Sequence, residues 1–487
     1  MTMWHNLGPR LLLSLLLLLP QPALSLDLRL PDIGDPADSV MSPTAEGRLG
    51  RAFINSLRQR ERFIEQPVFN DYISQLGKKL AAQSGASPAD FHFYLIESDA
   101  VNAFAGPDGH IGVFTGLVLT TASEDELASV LAHEIAHVTQ KHLFRTFHRA
   151  QQMSTPAAVA LLAAVLIGVA GGSADFGRAA ITGIQAGMLQ DQINYTRQNE
   201  EEADRVGIDL LAQAQFDPRA MPAFFAKMAK ANQAYSTQLP EFLRTHPVTR
   251  NRIADAQGRA EHYPYKQRSE SIRYHLLRAW LKARSFNRPS KAVEHFASTL
   301  KTGRYRNREA EEYGHALALL QAREPARAAD ILQPLLAGRG DSIEYRLALA
   351  EAQLKQGRGS AALGLINSGL HRRPQNRPLL QAKVDLLEQS QQHRQAADLL
   401  RQLTQQHPAD ADLFQRLSQA EARLGNSAAA HSQMAEHYYL KGELKLAIHQ
   451  LELALRQRPS DFAAAKMAAR LKQIKQEQSE LKRQKKR

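Results

Sequence analysis

Apolar positions along the chain change their spacing several times, and each spacing predicts a different element. Residues 11–19 are apolar throughout except for Ser14, and Pro20 and Pro22 end the run. This run is too short to cross a hydrocarbon layer of about 30 Å, which takes about 20 residues. Arg10 lies ahead of it and Ala23-Leu24-Ser25 behind it, a positive start and a small-x-small step. The pattern predicts a secretory signal over 1–25, cleaved after Ser25. Residues 26–42, rich in Pro, Asp and Gly, read as an extended leader, and 46–84 carry apolar residues at helical spacing. Phe91-His92-Phe93-Tyr94-Leu95-Ile96 is aromatic and β-branched between turn residues and predicts a strand. Residues 102–106 and 110–114 flank Pro107-Asp108-Gly109, which predicts a β-hairpin.

The next run, 124–141, returns to helical spacing with Leu127, Val130 and Leu131. Ser123 before it and Glu126 within it form a capping-box pattern. A second apolar run, 156–172, has no charge between 157 and 170 and ends in Gly-Gly. It is short for a membrane span and reads as a segment packed on the neighbouring domain, or as a flap near a site. From about 271 the chain is helical throughout, with a period of 34. Pro374 and Pro408 obey it, as do Ala362, Ala396 and Ala430, and Gly357 and Gly425 are two periods apart. This is the tetratricopeptide period, a helix pair with small residues at the crossing and proline after the second helix. Full repeats are expected over 343–376 and 377–410, a weaker one near 309–342 and a degenerate one around Ala292 over 271–306. Gly442, Ala447 and Pro459 fit the same pattern half a period out of phase. The helix near 428–440 is therefore expected to serve two overlapping repeats, giving an odd number of helices and an array that bends or folds back.

Composition narrows these possibilities. The 487 residues suggest two to four domains, and 44% hydrophobic residues are enough for real cores. The net charge of +12 gathers toward the C-terminus, ending in Lys485-Lys486-Arg487. It permits a peripheral contact with an anionic membrane surface, but no nucleic-acid motif accompanies it and no nucleic-acid partner is expected. Cysteine is absent. That excludes disulfides, thiol nucleophiles and thiolate metal sites, so any metal is held by His, Asp or Glu.

His133-Glu134-Ile135-Ala136-His137 lies in the predicted helix 124–141. Four residues along an α-helix turn about 40° past a full revolution, so both imidazoles reach one metal from one face. Glu134 stands beside them, placed to hold water without binding the metal. His142 is rotated by about 140° from His137 on the same helical projection. It and His148 read as surface or packing histidines. A metzincin needs glycine at 140 and histidine at 143, where this chain has Gln140 and Leu143. A catalytic zinc needs a third protein ligand and an open position. Residues 199–204, Asn-Glu-Glu-Glu-Ala-Asp, offer Glu200 as that ligand. Asp204, on the same face, is placed to hydrogen-bond a ligand histidine. The competing reading of Glu200 to Glu202 is a solvated acidic face, to which Glu201 and Glu202 are better suited than Glu200.

His133-Glu134-x-x-His137 followed by Glu200-x-x-Ala203-Asp204 resembles the gluzincins of the HtpX and CAAX-prenyl endopeptidase family. Asn102-Ala103-Phe104-Ala105, residues 112–117 and Thr245-His246-Pro247-x-x-x-Asn251-Arg252-Ile253 match the same family pattern. The resemblance implies Glu200 as third ligand to one Zn2+ and places His246 and Arg252 at the active site. Membrane-embedded members carry spanning helices that this chain lacks. Its signal, protease domain and C-terminal repeats are similar to the periplasmic branch that serves outer-membrane β-barrel assembly.

The expected fold is mainly α: signal 1–25, an α+β zinc metalloprotease domain over 26–265 with a small sheet, an α-solenoid of tetratricopeptide repeats over 266–475, and a basic tail 476–487. Glu134 is the expected general base, with His246 or Arg252 stabilising the oxyanion, or His246 filling the open zinc position. The strand at Asn102, Ala103 and Phe104 is the expected substrate edge. Expected partners are unfolded or misassembled outer-membrane proteins and, through the repeats, the β-barrel assembly machinery. The competing expectation is a repeat-based chaperone or adaptor with gated proteolysis.

Overall fold

Prolines at helix starts, such as Pro67, Pro289 and Pro325, and a handful of left-handed residues set several of the element boundaries. The computed structural model describes residues 42–152, 186–234, 241–266 and 268–484. The predicted signal, the leader through residue 41, the apolar run 156–172 and the last three basic residues lie outside the described residues. The helical stretch expected over 46–84 is two helices, α1 (Pro43–Arg60) and α2 (Pro67–Ala81), with the short strand β1 (Arg62–Phe63) between them. Pro67 accounts for the break. It starts α2 and holds the preceding Gln66 extended at φ −87°, ψ 104°.

The predicted strand appears as β2 (His92–Glu97), and the predicted hairpin as β3 (Ala103–Ala105) and β4 (His110–Phe114). Asp108 and Gly109, both left-handed, turn the chain between them. The sheet order is β1-β2-β4-β3, with β2 and β4 parallel and the outer pairs antiparallel. That leaves β3 on one edge. After the short α3 (Thr115–Thr120), helix α4 (Glu124–Thr139) carries the two motif histidines. Ser123 Oγ caps it by accepting from Glu126 N at 3.1 Å. The Glu126 carboxylate reaches back to Ala122 N at 2.6 Å, one residue before the box position.

α4 ends at Thr139, two residues short of the predicted end, because Lys141 is left-handed at φ 53°. The chain then reverses into α5 (His142–Gln152). Helix α6 (Ala186–Gln213) crosses α4 at Gly207. A Cβ there would stand 3.2 Å from His133 N and 2.8 Å from Met221 Cε, so the close approach of the two helices requires glycine. α7 (Ala220–Ala234), α8 (Glu241–Thr245) and α9 (Arg250–Glu261) complete this half.

From Ile272 to Gln484 the helices form six antiparallel pairs, beginning with α10 (Ile272–Arg284) and ending with Leu444–Arg456 and Asp461–Gln484. The left-handed residues Arg323, Gly357, Gln391 and Gly425 mark the period of 34, and Gly442 follows after half a period. Helix Ser427–Leu440 packs on both of its neighbours, as the overlapping frames require. The helix count is nevertheless even, because Asp461–Gln484 packs on Leu444–Arg456 and supplies the helix the odd count lacked. Buried Met467 and Ile474 anchor that last helix, which runs through residue 475 and takes in most of the expected basic tail. No described helix is long and apolar enough to cross a membrane.

The repeats are seated directly on the sheet-bearing half. One apolar core continues from Ile64 to Leu386 without a break at the expected boundary near 265. Trp280 of α10 packs on Phe69 with ring centroids 5.2 Å apart. Tyr274 Oη donates to Thr121 O at 3.1 Å, and Arg273 Nη2 donates to Val68 O at 2.9 Å. At the far end of the array, Asn55 Nδ2 of α1 donates to Lys441 O at 3.2 Å, so the array does fold back onto the N-terminal half. Gly207→Val is expected to lower the unfolding free energy by about 1–3 kcal/mol through overpacking at the α4–α6 crossing. A fall in the urea midpoint measures it, and an unchanged midpoint would show that the crossing tolerates a side chain.

Candidate metal centre

Four groups from three separated segments meet above α4. His133 and His137, one helical turn apart, have ring centroids 4.6 Å apart and Nε2 atoms 3.0 Å apart. The crossing at Gly207 brings α6 close enough for Glu200 to reach both. Its Oε1 lies 3.3 Å from His137 Nε2, and its Oε2 lies 3.4 Å from His133 Nε2. His246, just past α8, is held by its backbone N–H on Phe242 O at 2.7 Å, and its ring stacks on Phe242. Its Nδ1 lies 3.1 Å from Glu200 Oε2 and 3.2 Å from His133 Nε2. One ligand atom from each of His133, His137, Glu200 and His246 falls within 4.8 Å of all the others, so this set can hold a metal ion.

Asp204, one turn after Glu200, places Oδ1 3.0 Å from His133 Nδ1. Arg252 is buried beneath both acids. It donates to Asp204 from Nε at 2.7 Å and from Nη2 at 2.8 Å, and from Nη1 to Pro247 O at 2.8 Å; Nη1 also lies 2.9 Å from Glu200 Oε2. Phe225 covers its face. A guanidinium with all three nitrogens engaged this way holds both acids in place.

Burial and neighbouring charge pull the titratable groups apart. Burial would lower the His133 imidazole, but hydrogen bonding and charge from Asp204 and Glu200 raise it to about 10. Burial lowers His137 to about 3 against the opposing pull of Glu200. Burial would raise Glu200, yet His246, His137 and His133 hold it well below the ordinary carboxylate range. Glu134 moves the other way, raised by burial and only partly opposed by His246 and His133. One buried carboxylate is thus kept ionised while another gains affinity for a proton, the division of labour that acid–base chemistry uses. Glu134 Oε1 lies 3.4 Å from His246 Nε2, and the Ala105 backbone N–H of the edge strand bonds its carboxylate.

All three residues of the expected substrate edge, Asn102, Ala103 and Phe104, are buried. The Phe104 ring packs between Phe53 and Phe114, and Asn102 Oδ1 accepts the Ala103 N–H at 2.9 Å. Of the main chain of this strand, the Ala103 N–H is thus taken by a side chain, as is the Ala105 N–H by Glu134. His148 is half-buried in α5. His142, read from sequence as a surface or packing histidine, is buried with Nδ1 2.8 Å from His137 Nδ1. Its Nε2 lies 3.2 Å from Glu202 Oε2, and Arg145 donates to the same oxygen at 2.8 Å. The helical projection failed there because the helix does not: α4 has ended and left-handed Lys141 swings His142 back over His137. Glu202, expected on a solvated face with Glu201, is therefore engaged, while Glu201 is exposed. A histidine four residues past Val138, the last apolar residue of α4, was the available signal.

Comparison with known proteins matches residues 67–260 to peptidase family M48 and residues 319–387 to the tetratricopeptide repeat. The β-barrel assembly-enhancing protease of Escherichia coli (strain K12) is 33% identical over 459 residues, 93% of this chain and 92% of that protein. A putative β-barrel assembly-enhancing protease of Vibrio cholerae is 39% identical over 334 residues, 68% of each chain. The mitochondrial metalloendopeptidase OMA1 of Schizosaccharomyces pombe is 32% identical over 182 residues, 37% of this chain and 50% of that one. The E. coli likeness runs through both the metal-binding half and the repeats, and with it the chain belongs to the M48 metallopeptidases, among the β-barrel assembly-enhancing proteases.

Proposed function

We propose that the chain is a periplasmic zinc endopeptidase that removes misfolded or stalled outer-membrane β-barrel proteins and uses its repeats to engage them or the machinery that assembles them. The observation that carries this reading is the convergence of His133, His137, Glu200 and His246 on a chain that also bears a tetratricopeptide array. The names of the relatives supply the β-barrel connection, and the pattern over 1–25 supports export. Two imidazole nitrogens and a carboxylate oxygen, buried and convergent, fit the ligand preference of a catalytic zinc. Held by His133, His137 and Glu200, the ion supplies Lewis acidity toward a peptide carbonyl and toward water, whose pKa falls toward about 7.

Glu134 takes the proton from the attacking water and hands it to the leaving amine, and its raised proton affinity suits both transfers. Asp204 orients His133 through Nδ1, and Arg252 fixes Asp204. β3, the edge strand beside Glu134, is the candidate edge for an extended substrate, a mode that asks little of the substrate's sequence and suits unfolded chains. His246 has a second reading. It offers a fourth donor to the same cluster, and under this reading it would take the position that water or substrate needs and hold the site closed.

The test is cleavage of an unfolded protein by the purified chain beside Glu134→Gln, with zinc quantified in both. Glu134→Gln is expected to bind zinc and to cut at least about 100-fold more slowly. Chelation should abolish wild-type cleavage and added zinc restore it. A mutant that cuts normally overturns the role of Glu134. Loss of cleavage with normal β-barrel assembly favours the chaperone reading. Under the gate reading, His246→Ala raises cleavage by about tenfold or more by releasing a minor competent state. A fall would make His246 a catalytic part instead.

A further inference from the structure

The geometry points to His142 as a positioning residue for the metal centre, acting on His137 through an ordered chain that ends at Glu202 and Arg145. The inference rests on His137 being a metal ligand through Nε2, the atom that faces His133 and Glu200.

The order follows from what each group can donate. An ionised carboxylate only accepts, so Glu202 Oε2 takes a hydrogen from His142 Nε2 at 3.2 Å. A neutral imidazole carries one N–H, so His142 Nδ1 is left with a lone pair. It accepts the Nδ1–H of His137 across 2.8 Å. His137 Nε2 is then bare, as a metal ligand requires. Arg145 holds the outer end, donating to Glu202 Oε2 at 2.8 Å and to Gln140 O at 3.3 Å. The chain thus fixes both the tautomer and the tilt of His137.

The arrangement has a counterpart on the other ligand. His133 meets a carboxylate directly at Asp204, whose far side is held by Arg252. His137 meets its carboxylate one residue removed, with an imidazole between and Arg145 in the place of the arginine. Both outer carboxylates stand on α6, Asp204 two residues after Glu202, so the helix that brings Glu200 also orients both histidines. The left-handed turn at Lys141 serves this arrangement by returning His142 over His137.

The test compares zinc affinity of the full-length chain, by competition with a chromophoric chelator, for wild type, His142→Leu and His142→Asn. Leu fills the space without an acceptor, and Asn supplies a carbonyl oxygen near the place of Nδ1. His142→Leu is expected to weaken zinc binding by about 10- to 100-fold, the usual effect of losing an outer partner of a ligand histidine. His142→Asn is expected to recover most of that loss. Equal affinity of His142→Leu and wild type would overturn the inference, leaving His142 a packing residue. So would equal weakening by Leu and Asn, since the acceptor would then be irrelevant. If circular dichroism shows that His142→Leu does not fold, Glu202→Leu, which removes the acceptor for His142 Nε2, takes its place. A weaker affinity supports the chain, and unchanged affinity overturns it. Failure of the wild type to bind zinc would instead overturn the metal reading itself.

Discussion

The buried contact of Arg252 with Asp204 and Glu200 is the constraint on which the centre depends. Three charged groups lie out of water, with Arg252 and Asp204 each 2% exposed. Charges so placed are tolerated only when fully paired, and removing one partner leaves the others stranded. The pairing is bidentate, the geometry for which a guanidinium is suited. It ties α9 to α6 and, through Asp204, to the first histidine of α4. Two of the four convergent groups, His133 and Glu200, are held through it. Glu200 meets the histidines with one oxygen partly committed to arginine, and His133 faces a carboxylate that arginine has already oriented.

Much of the layout was legible from spacing. The period of 34 and its half-period slip survive as left-handed residues at 323, 357, 391, 425 and 442, because a turn of fixed geometry must recur wherever a helix pair recurs. The hairpin and the two motif histidines follow from local chemistry alone. Glu200 was different: Glu200, Glu201 and Glu202 are the same residue type in sequence. The tertiary crossing at Gly207 and the family resemblance separate the residue facing the histidines from the exposed one. His142 was misread because a projection along one helix was carried past its end. The break at Pro67 was missed because apolar spacing continues across it. The hydrogen bonds of Arg252 to Asp204 and Pro247 were not visible in sequence, since they are a property of the assembled site.

The expected boundary near 265 marks a change of sequence pattern without a break in packing. Arg268 reaches Glu124 and Asp125 at the start of the histidine-bearing helix, and Ser271 N–H adds a bond to Glu124. Tyr72 donates to the same carboxylate at 2.7 Å. The first turn of α4 is thus held by the segment leading into the repeats, and the two halves share one foundation. A repeat array hung on a flexible linker would move freely of the site; this one is joined to the helix that carries the ligands.

The hydrogen bond between Asn55 and Lys441 joins positions separated by 386 residues. Such a contact comes late in folding, because ends so far apart along the chain meet only after the intervening segments have organised. The sheet, the hairpin and the helices bearing the ligands close over much shorter spans. By loop closure alone, the convergent histidines and Glu200 come together before the arm has come round to meet α1.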